Sequence, residues 1–188
     1  MTTPRIIAGS ARGIRLNMVP GDITRPITDM VKESLFNILG QADVIDSAWL
    51  DLFGGTGSVG IEALSRGAAY VRFIDLNRAA VNTIKANLEK TKLAAHGEVL
   101  QVDAFNLLRR KADRTFDYIY IAPPQYKEMW KAALHELDDN PGWIKEDTWV
   151  IVQIDPNEYE KQELTHLVEF EQRKYGNTLL LFYETTAL

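Results

Sequence analysis

Hydrophobic and polar positions along this chain switch repeatedly between two periods. Short apolar runs of strand length alternate with segments whose apolar residues recur at helical spacing. The pattern predicts strands over residues 48–53, 70–75, 98–102, 116–121 and 148–154. It predicts helices between them over residues 57–66, 78–91, 104–111 and 129–139. Repeated β-α units of this kind predict a parallel sheet with helices on both faces.

The C-terminal end departs from this repeat. Residues 167–174 and 178–184 are predicted as two strands, and only Tyr175, Gly176 and Asn177 separate them. So short a link joins antiparallel strands, not parallel ones. The predicted fold is therefore α/β and Rossmann-like, with a mostly parallel sheet and an antiparallel hairpin at one edge.

The N-terminal end is also different. Residues 5–19 are predicted as two short strands around a Gly/Ser turn, since apolar and polar residues alternate there. Pro20 and Gly21 then break the chain. We therefore divide the sequence into an N-terminal β-hairpin arm, residues 1–21, and a ligand-binding domain, residues 22–188.

A glycine-rich stretch follows the first predicted strand. Residues 55–60 form the pattern GxGxxG, and Asp75 lies 20 residues after Gly55. This spacing is typical of a dinucleotide site, whose pyrophosphate sits over the glycines. Asp51, just ahead of the glycines, would repel that pyrophosphate. A carboxylate there favours S-adenosylmethionine, which has an ammonium and a sulfonium group.

Acidic residues follow three successive strands, at the sheet edge where α/β proteins bind ligands. We expect Asp51 to hold the ammonium, Asp75 the ribose hydroxyls and Asp103 the adenine amine, with Ala104 leaving room for the ring. Each acid has an alternative role as a helix cap or loop anchor. The residues expected to bind S-adenosylmethionine are Asp51, Phe53, Gly54, Gly55, Thr56, Gly57, Asp75, Leu76, Asp103 and Ala104.

Composition narrows the class of protein. The 188 residues are 46% hydrophobic, which excludes a disordered chain. Because the chain has no cysteine, disulfides and thiolate metal sites are excluded. No apolar run reaches the length of a membrane span. We expect a monomeric cytoplasmic protein that binds neither a membrane nor a metal ion.

Charge is unevenly distributed. The net charge of −5 argues against bulk attraction to nucleic acid. Residues 1–32, however, contain five basic and two acidic side chains. Such an arm suits phosphate contacts, although a solvated charged hairpin is the alternative. The candidate RNA-binding residues are Arg5, Arg12, Arg15, Arg25 and Thr28.

Two prolines follow the fourth predicted strand. Pro123 and Pro124 fix the backbone dihedral φ and have no N–H group, so they turn the chain and project carbonyl oxygens. We expect these carbonyls to face the methyl donor. A dehydrogenase has no need of such a turn.

These motifs together resemble the RsmD-type methyltransferases, which methylate the N2 amine of a guanine in small-subunit ribosomal RNA. Residues 25–37, RPITDMVKESLFN, are similar to the family signature RPTTDxVRExLFN. The remaining similar segments are residues 5–16, 51–58, 60–66 and 175–178. The resemblance implies S-adenosylmethionine as cofactor, and ribosomal RNA or the assembling small subunit as partner.

The sequence departs from the family at the proline turn. The family has Asp-Pro-Pro followed by Tyr or Phe, whereas this chain has Ala122 and Gln125 at the outer positions. Gln125 is a replacement acceptor for the guanine amine, and Tyr126 a replacement stacking ring. A second departure is Asp75, where the family usually has Glu. The catalytic positions implied by the resemblance are Ala122, Pro123, Pro124, Gln125 and Tyr126.

Two alternatives remain at this point. The first is an RNA-binding assembly factor that keeps the S-adenosylmethionine site but has weakened catalysis, because the family's Asp is replaced. The second is a methyltransferase acting on an amine outside RNA, against which the basic arm argues. Neither the target nucleotide nor the choice between naked RNA and a particle follows from the sequence.

Overall fold

The computed structural model describes residues 2–21 and 26–186 of the chain. The protein divides into two compact units, the first ending at Val102 and the second beginning at Asp103. No helix within the described residues is long and apolar enough to span a membrane.

The first unit contains three strands and four helices. In chain order they are α1 (Asp29–Leu39), α2 (Gln41–Val44), β1 (Ala48–Asp51), α3 (Ser58–Ser65), β2 (Tyr70–Asp75), α4 (Arg78–Thr91) and β3 (Gly97–Gln101). Strand β2 pairs in parallel with both β1 and β3. The centre of this sheet is apolar, and Trp49, Leu50, Val71 and Phe73 are all fully buried.

Helix α1 shows how local sequence sets an element's ends. The Thr28 side chain accepts a hydrogen bond from the Val31 N–H and forms the N-cap. Gly40 ends the helix with φ of 83°, which favours glycine. The short helix α2 follows directly, and the sequence pattern did not predict it.

Within the described residues, the second unit contains four strands and two α-helices, besides two 3-10 helices. In chain order they are α5 (Ala104–Leu108), β4 (Tyr118–Ile121), α6 (Met129–Asp139), β5 (Trp149–Ile154), β6 (Leu167–Tyr175) and β7 (Thr178–Thr185). Strands β4 and β5 are parallel, whereas β7 is antiparallel to both β5 and β6. The predicted α/β fold with a mostly parallel sheet and an antiparallel edge hairpin is confirmed.

Several predicted element ends are wrong by two or three residues. Strand β4 begins at Tyr118 instead of residue 116, because the Phe116 N–H donates to the Trp143 carbonyl and its own carbonyl accepts from the Thr148 hydroxyl. Strand β1 ends at Asp51 and not at residue 53, since the chain there turns into the glycine stretch. Helix α5 is also shorter than predicted.

The N-terminal arm has fewer strand contacts than predicted. Its only bridge within the described residues joins Arg5 and Arg15, in antiparallel orientation. The Ile7 and Ala8 N–H groups donate instead to the Glu62 carboxylate on α3. Within the arm, the Ile6 N–H donates to the Ile14 carbonyl at 3.0 Å and the Leu16 N–H to the Pro4 carbonyl at 2.8 Å, so the arm is held by its own backbone bonds as well as by side chains of the helices. The predicted boundary after residue 21 adjoins residues outside the described part of the chain.

Candidate active site

The glycine loop between β1 and α3 is open on one side. The Gly54 N–H donates to the Ile74 carbonyl and the Gly57 N–H to the Gly54 carbonyl, both at 2.8 Å. Gly55 and Gly57 have φ of 56° and 80°, a region that glycine adopts without strain. A Cβ on Gly55 would meet no heavy atom within 4 Å. The loop therefore leaves space for a ligand to approach the Gly55 backbone.

Gly60, the last glycine of the pattern, and Gly54, just ahead of it, serve packing. A Cβ on Gly60 would lie 2.3 Å from the Phe73 ring, and one on Gly54 would lie 2.7 Å from Ile84. Both glycines therefore let a helix approach the sheet closely, as in nucleotide-binding folds.

Asp51 is a buried carboxylate that lacks a full set of partners. Its side chain is 2% exposed, and its Oδ1 atom has no hydrogen-bond partner among the described residues. Burial, together with the smaller effect of the nearby charge of Asp75, raises the pKa of Asp51 to about 8, whereas the hydrogen bond from the Phe53 N–H opposes both. An unpartnered buried carboxylate oxygen fits a cationic ligand, such as the ammonium of S-adenosylmethionine.

Asp75 supports the glycine loop directly. Its Oδ2 atom accepts from the Gly55 N–H at 3.0 Å, and its Oδ1 atom from the Asn77 N–H at 2.9 Å. Each carboxylate oxygen has further acceptor capacity, so this anchoring leaves the expected ribose contact available. Leu76 beside it is 64% exposed and offers an apolar surface at the end of β2.

Asp103 and Ala104 begin the second unit. Asp103 is the N-cap of α5, and its Oδ1 atom accepts from the Asn106 N–H at 2.9 Å. The capping role that the sequence left open is therefore present, and the adenine contact stays a prediction. Ala104 is buried.

The proline turn that follows β4 is a strained loop. Ala122 and Pro123 are half-buried, whereas Pro124, Gln125 and Tyr126 are exposed. Tyr126 has φ of 59°, which is rare for a bulky residue. The roles of these five residues in catalysis stay predictions.

A buried ion pair that the sequence did not predict anchors the arm. Lys32 on α1 and Glu62 on α3 are both fully buried, with their charged atoms 3.4 Å apart. Lys32 Nζ also donates to the Arg5 carbonyl at 2.6 Å and to the Ser58 hydroxyl at 2.9 Å. Burial lowers the pKa of Lys32, although the charge of Glu62 opposes this. The pair ties the arm to the first residue of α3, beside the glycine loop.

A second anchor joins the arm to the loop itself. The side chain of Asn87 on α4 is fully buried. Its Oδ1 atom accepts from the Asn17 N–H at 2.7 Å, and its Nδ2 atom donates to the carbonyls of Asn17 and Thr56 at 3.1 and 2.8 Å. One amide therefore holds both the arm and the glycine loop.

The predicted RNA-binding residues lie mostly at the surface. Arg5, Arg12 and Arg15 are exposed, and Arg5 forms a partly exposed ion pair with Asp29 at 3.3 Å. Thr28 is exposed and its hydroxyl caps α1. Arg25 lies outside the described residues. Their contacts to RNA stay predictions.

Comparison with known proteins identifies the family of this chain. Residues 4–184 match the family described as Conserved hypothetical protein 95. YlbH of Bacillus subtilis is 38% identical and covers 96% of this chain and 98% of its own length. Ribosomal RNA small subunit methyltransferase D of Haemophilus influenzae is 35% identical, over 79% of this chain and 77% of its own. The solved structure of yhhF from Escherichia coli superposes with a TM-score of 0.86, at 29% identity and 99% coverage of both chains.

The fold, the open glycine loop and the acid at the end of β1 define a class I S-adenosylmethionine-dependent methyltransferase. Within that class, the chain belongs to the RsmD-type family of ribosomal RNA methyltransferases.

Proposed function

We propose that this protein transfers the methyl group of S-adenosylmethionine to the N2 amine of a guanine in small-subunit ribosomal RNA. The observation that carries the proposal is the buried Asp51 oxygen without a partner, beside a glycine loop open to a ligand. The RNA substrate is supported by membership of a family whose Haemophilus influenzae member is named a small-subunit methyltransferase.

For this reaction the protein mainly has to position the guanine amine against the methyl group. Guanine N2 is a weak nucleophile because its lone pair is delocalised into the ring. S-adenosylmethionine supplies an electrophilic methyl group on a sulfonium. The carbonyl oxygens of Ala122 and Pro123 accept hydrogen bonds from the amine, orient its lone pair and stabilise the positive charge that develops on nitrogen. A strong base is unnecessary, since the amine becomes acidic as it is methylated.

The arm supplies the contacts to RNA. Exposed arginines pair with phosphates and fix register, while unpaired bases are available for chemistry. The exposed residues Arg5, Arg12 and Arg15 are suited to this. The protein acts in the cytoplasm as a monomer on ribosomal RNA or on the assembling small subunit.

The test uses small ribosomal subunits that lack the mark. Incubation with methyl-labelled S-adenosylmethionine is expected to label ribosomal RNA, and mass spectrometry of its nucleosides to show N2-methylguanosine. Label in a ribosomal protein or a small molecule, with none in RNA, contradicts the proposal and favours the non-RNA amine methyltransferase.

Replacing Ala122 by Asp tests whether the departure from the family weakens catalysis. Since the carbonyls at the proline turn remain in the wild type, we expect Ala122→Asp to raise kcat by less than about tenfold. One preorganised polar group is typically worth about two to three powers of ten in rate. A gain of that size, measured by single-turnover methylation, would instead support the assembly factor with weakened catalysis.

A further inference from the structure

Tyr126 has an unusual combination of strain, exposure and anchoring. Its φ of 59° lies in the left-handed region, and Glu128, two residues later, has φ of 54°. Such conformations persist where surrounding contacts hold them, and they cluster at ligand sites. The Tyr126 side chain is nevertheless 64% exposed. Something other than packing must hold this residue.

Two carboxylates hold Tyr126, one through its backbone N–H and the other through its side-chain hydroxyl. The Tyr126 N–H donates to Glu158 Oε1 at 2.7 Å. Its hydroxyl donates to the Asp155 carboxylate, and this bond raises the pKa of Tyr126. The pKa of Asp155 is lowered by the Asn157 N–H first and by the Tyr126 hydroxyl second. Backbone and ring are therefore fixed separately, although the ring faces solvent.

The two carboxylates also fix one another. The 3-10 helix Pro156–Glu158 begins with a capping box, in which Asp155 Oδ1 accepts from the Asn157 N–H at 2.9 Å. Glu158 Oε2 accepts from the Asp155 N–H at 3.2 Å. The support for Tyr126 is thus a rigid turn, not two independent flexible side chains.

The register of the sheet places this turn beside the prolines. Strands β4 and β5 are parallel, and Ile121 is paired with Val152. Continuing that register by three residues sets Asp155 level with Pro124. Tyr126 also lines a cavity of about 310 Å³, together with Trp130, Lys131 and Asn157. The same cavity is also lined by Glu128, Glu158, Tyr159 and Glu160, and the Tyr126 side chain borders it.

We propose that Asp155 and Glu158 are positioning residues that hold the Tyr126 ring as the stacking platform for the target guanine. The inference rests on the proposed function and goes beyond it. Tyr126 lies one position later than the family's aromatic residue. The two carboxylates of Asp155 and Glu158, which we call the clamp, hold an aromatic ring near the proline turn despite that shift. Asp155 and Glu158 act on the base only through Tyr126.

A double-mutant cycle tests the clamp. Tyr126→Phe keeps the ring and loses the hydroxyl bond, while Asp155→Asn keeps an N-cap oxygen and loses the acceptor. Each is expected to lower kcat/KM for small subunits about fivefold. The double variant is expected to match either single variant, because both remove one bond. Tyr126→Ala is expected to lower kcat/KM by about 10- to 100-fold, the usual loss for a base-stacking ring.

Two further readouts separate positioning from a structural role. The Kd for S-adenosylmethionine and the melting temperature are expected to stay at wild-type values in all four variants. Tyr183→Phe is the matched control, since it removes a tyrosine bond to the Glu169 carboxylate and Tyr183 does not line the cavity. Its kcat/KM should be unchanged.

Multiplying effects in the double variant, or wild-type kcat/KM in Tyr126→Ala, would overturn the inference alone. Absence of RNA labelling by the wild type would overturn the proposed function and the inference with it.

Discussion

Asp51→Asn is expected to weaken S-adenosylmethionine binding by about 100-fold, because truncating one partner of a buried charge pair costs about 2 to 5 kcal/mol. The Asp51 oxygen that lacks a partner is the group that would pair with the ligand's ammonium. Isothermal titration calorimetry measures the effect. Asp139→Asn, at an exposed position, is the control and should bind as the wild type does.

The same substitution is expected to stabilise the empty protein. The pKa of Asp51 is about 8 in the folded protein against an ordinary 3.8. Between these values the folded state binds more protons than the unfolded state, so the free energy of unfolding falls as pH rises from about 4 to about 8. Asp51→Asn removes this slope and should be more stable than the wild type at pH 8, by a few kcal/mol.

Proton release gives an independent measurement. At pH 7 the carboxyl of the empty site is mostly protonated, and binding of an ammonium favours its ionisation. Wild-type affinity should therefore rise with pH between 6 and 8, and binding at pH 7 should release close to one proton. Calorimetry in buffers of different ionisation enthalpy detects this. A flat pH profile, or the same release from Asp51→Asn, would contradict the assignment of Asp51.

Glu62→Gln is expected to lower the free energy of unfolding by about 3 to 5 kcal/mol, because it leaves a buried cation without its counter-charge. Glu62 pairs with Lys32, also bonds to Arg66 at 2.8 Å, and accepts from two N–H groups of the arm. Urea denaturation measures the loss. The surface variant Glu33→Gln should stay within about 0.5 kcal/mol of the wild type.

Lys32→Met should cost less than Glu62→Gln. Burial already lowers the pKa of Lys32, which shows that its charge is held at a net cost in stability, and Glu62 keeps Arg66 as a partner in this variant. The arm should nevertheless loosen, since Lys32 bonds its Arg5 carbonyl. Limited proteolysis of the arm and the KM for small subunits report this. Equal losses from Lys32→Met and Glu62→Gln would contradict the account of this ion pair.

Residue patterns predicted the strands and the glycine turn around the candidate site well, for a physical reason. Strand ends and glycine turns are local features, so Asp51, Asp75 and the open Gly55 follow from periodicity and spacing. Helix α4 and helix α6 were predicted with their observed ends, because their apolar stripes are regular. The family resemblance added the nature of the substrate, which periodicity does not contain.

Long-range contacts were not predictable in the same way. Lys32 and Glu62 are 30 residues apart, and each reads as an ordinary polar position on a helix. The left-handed conformation of Tyr126 depends on Glu158, 32 residues away. Near Tyr126, the Asp155-x-x-Glu158 spacing is the one local sequence pattern, and it is typical of a capping box. The short helix α2 has too few residues to show a period.

The buried side-chain amide of Asn87 connects the arm to the glycine loop. It bonds the Asn17 backbone on one side and the Thr56 carbonyl on the other, so neither moves without disturbing the other. Energetic coupling between two sites is reciprocal. Cofactor binding at the loop is therefore expected to steady the arm that we propose contacts RNA, and hydrogen exchange at the Asn17 amide is expected to slow when the cofactor binds.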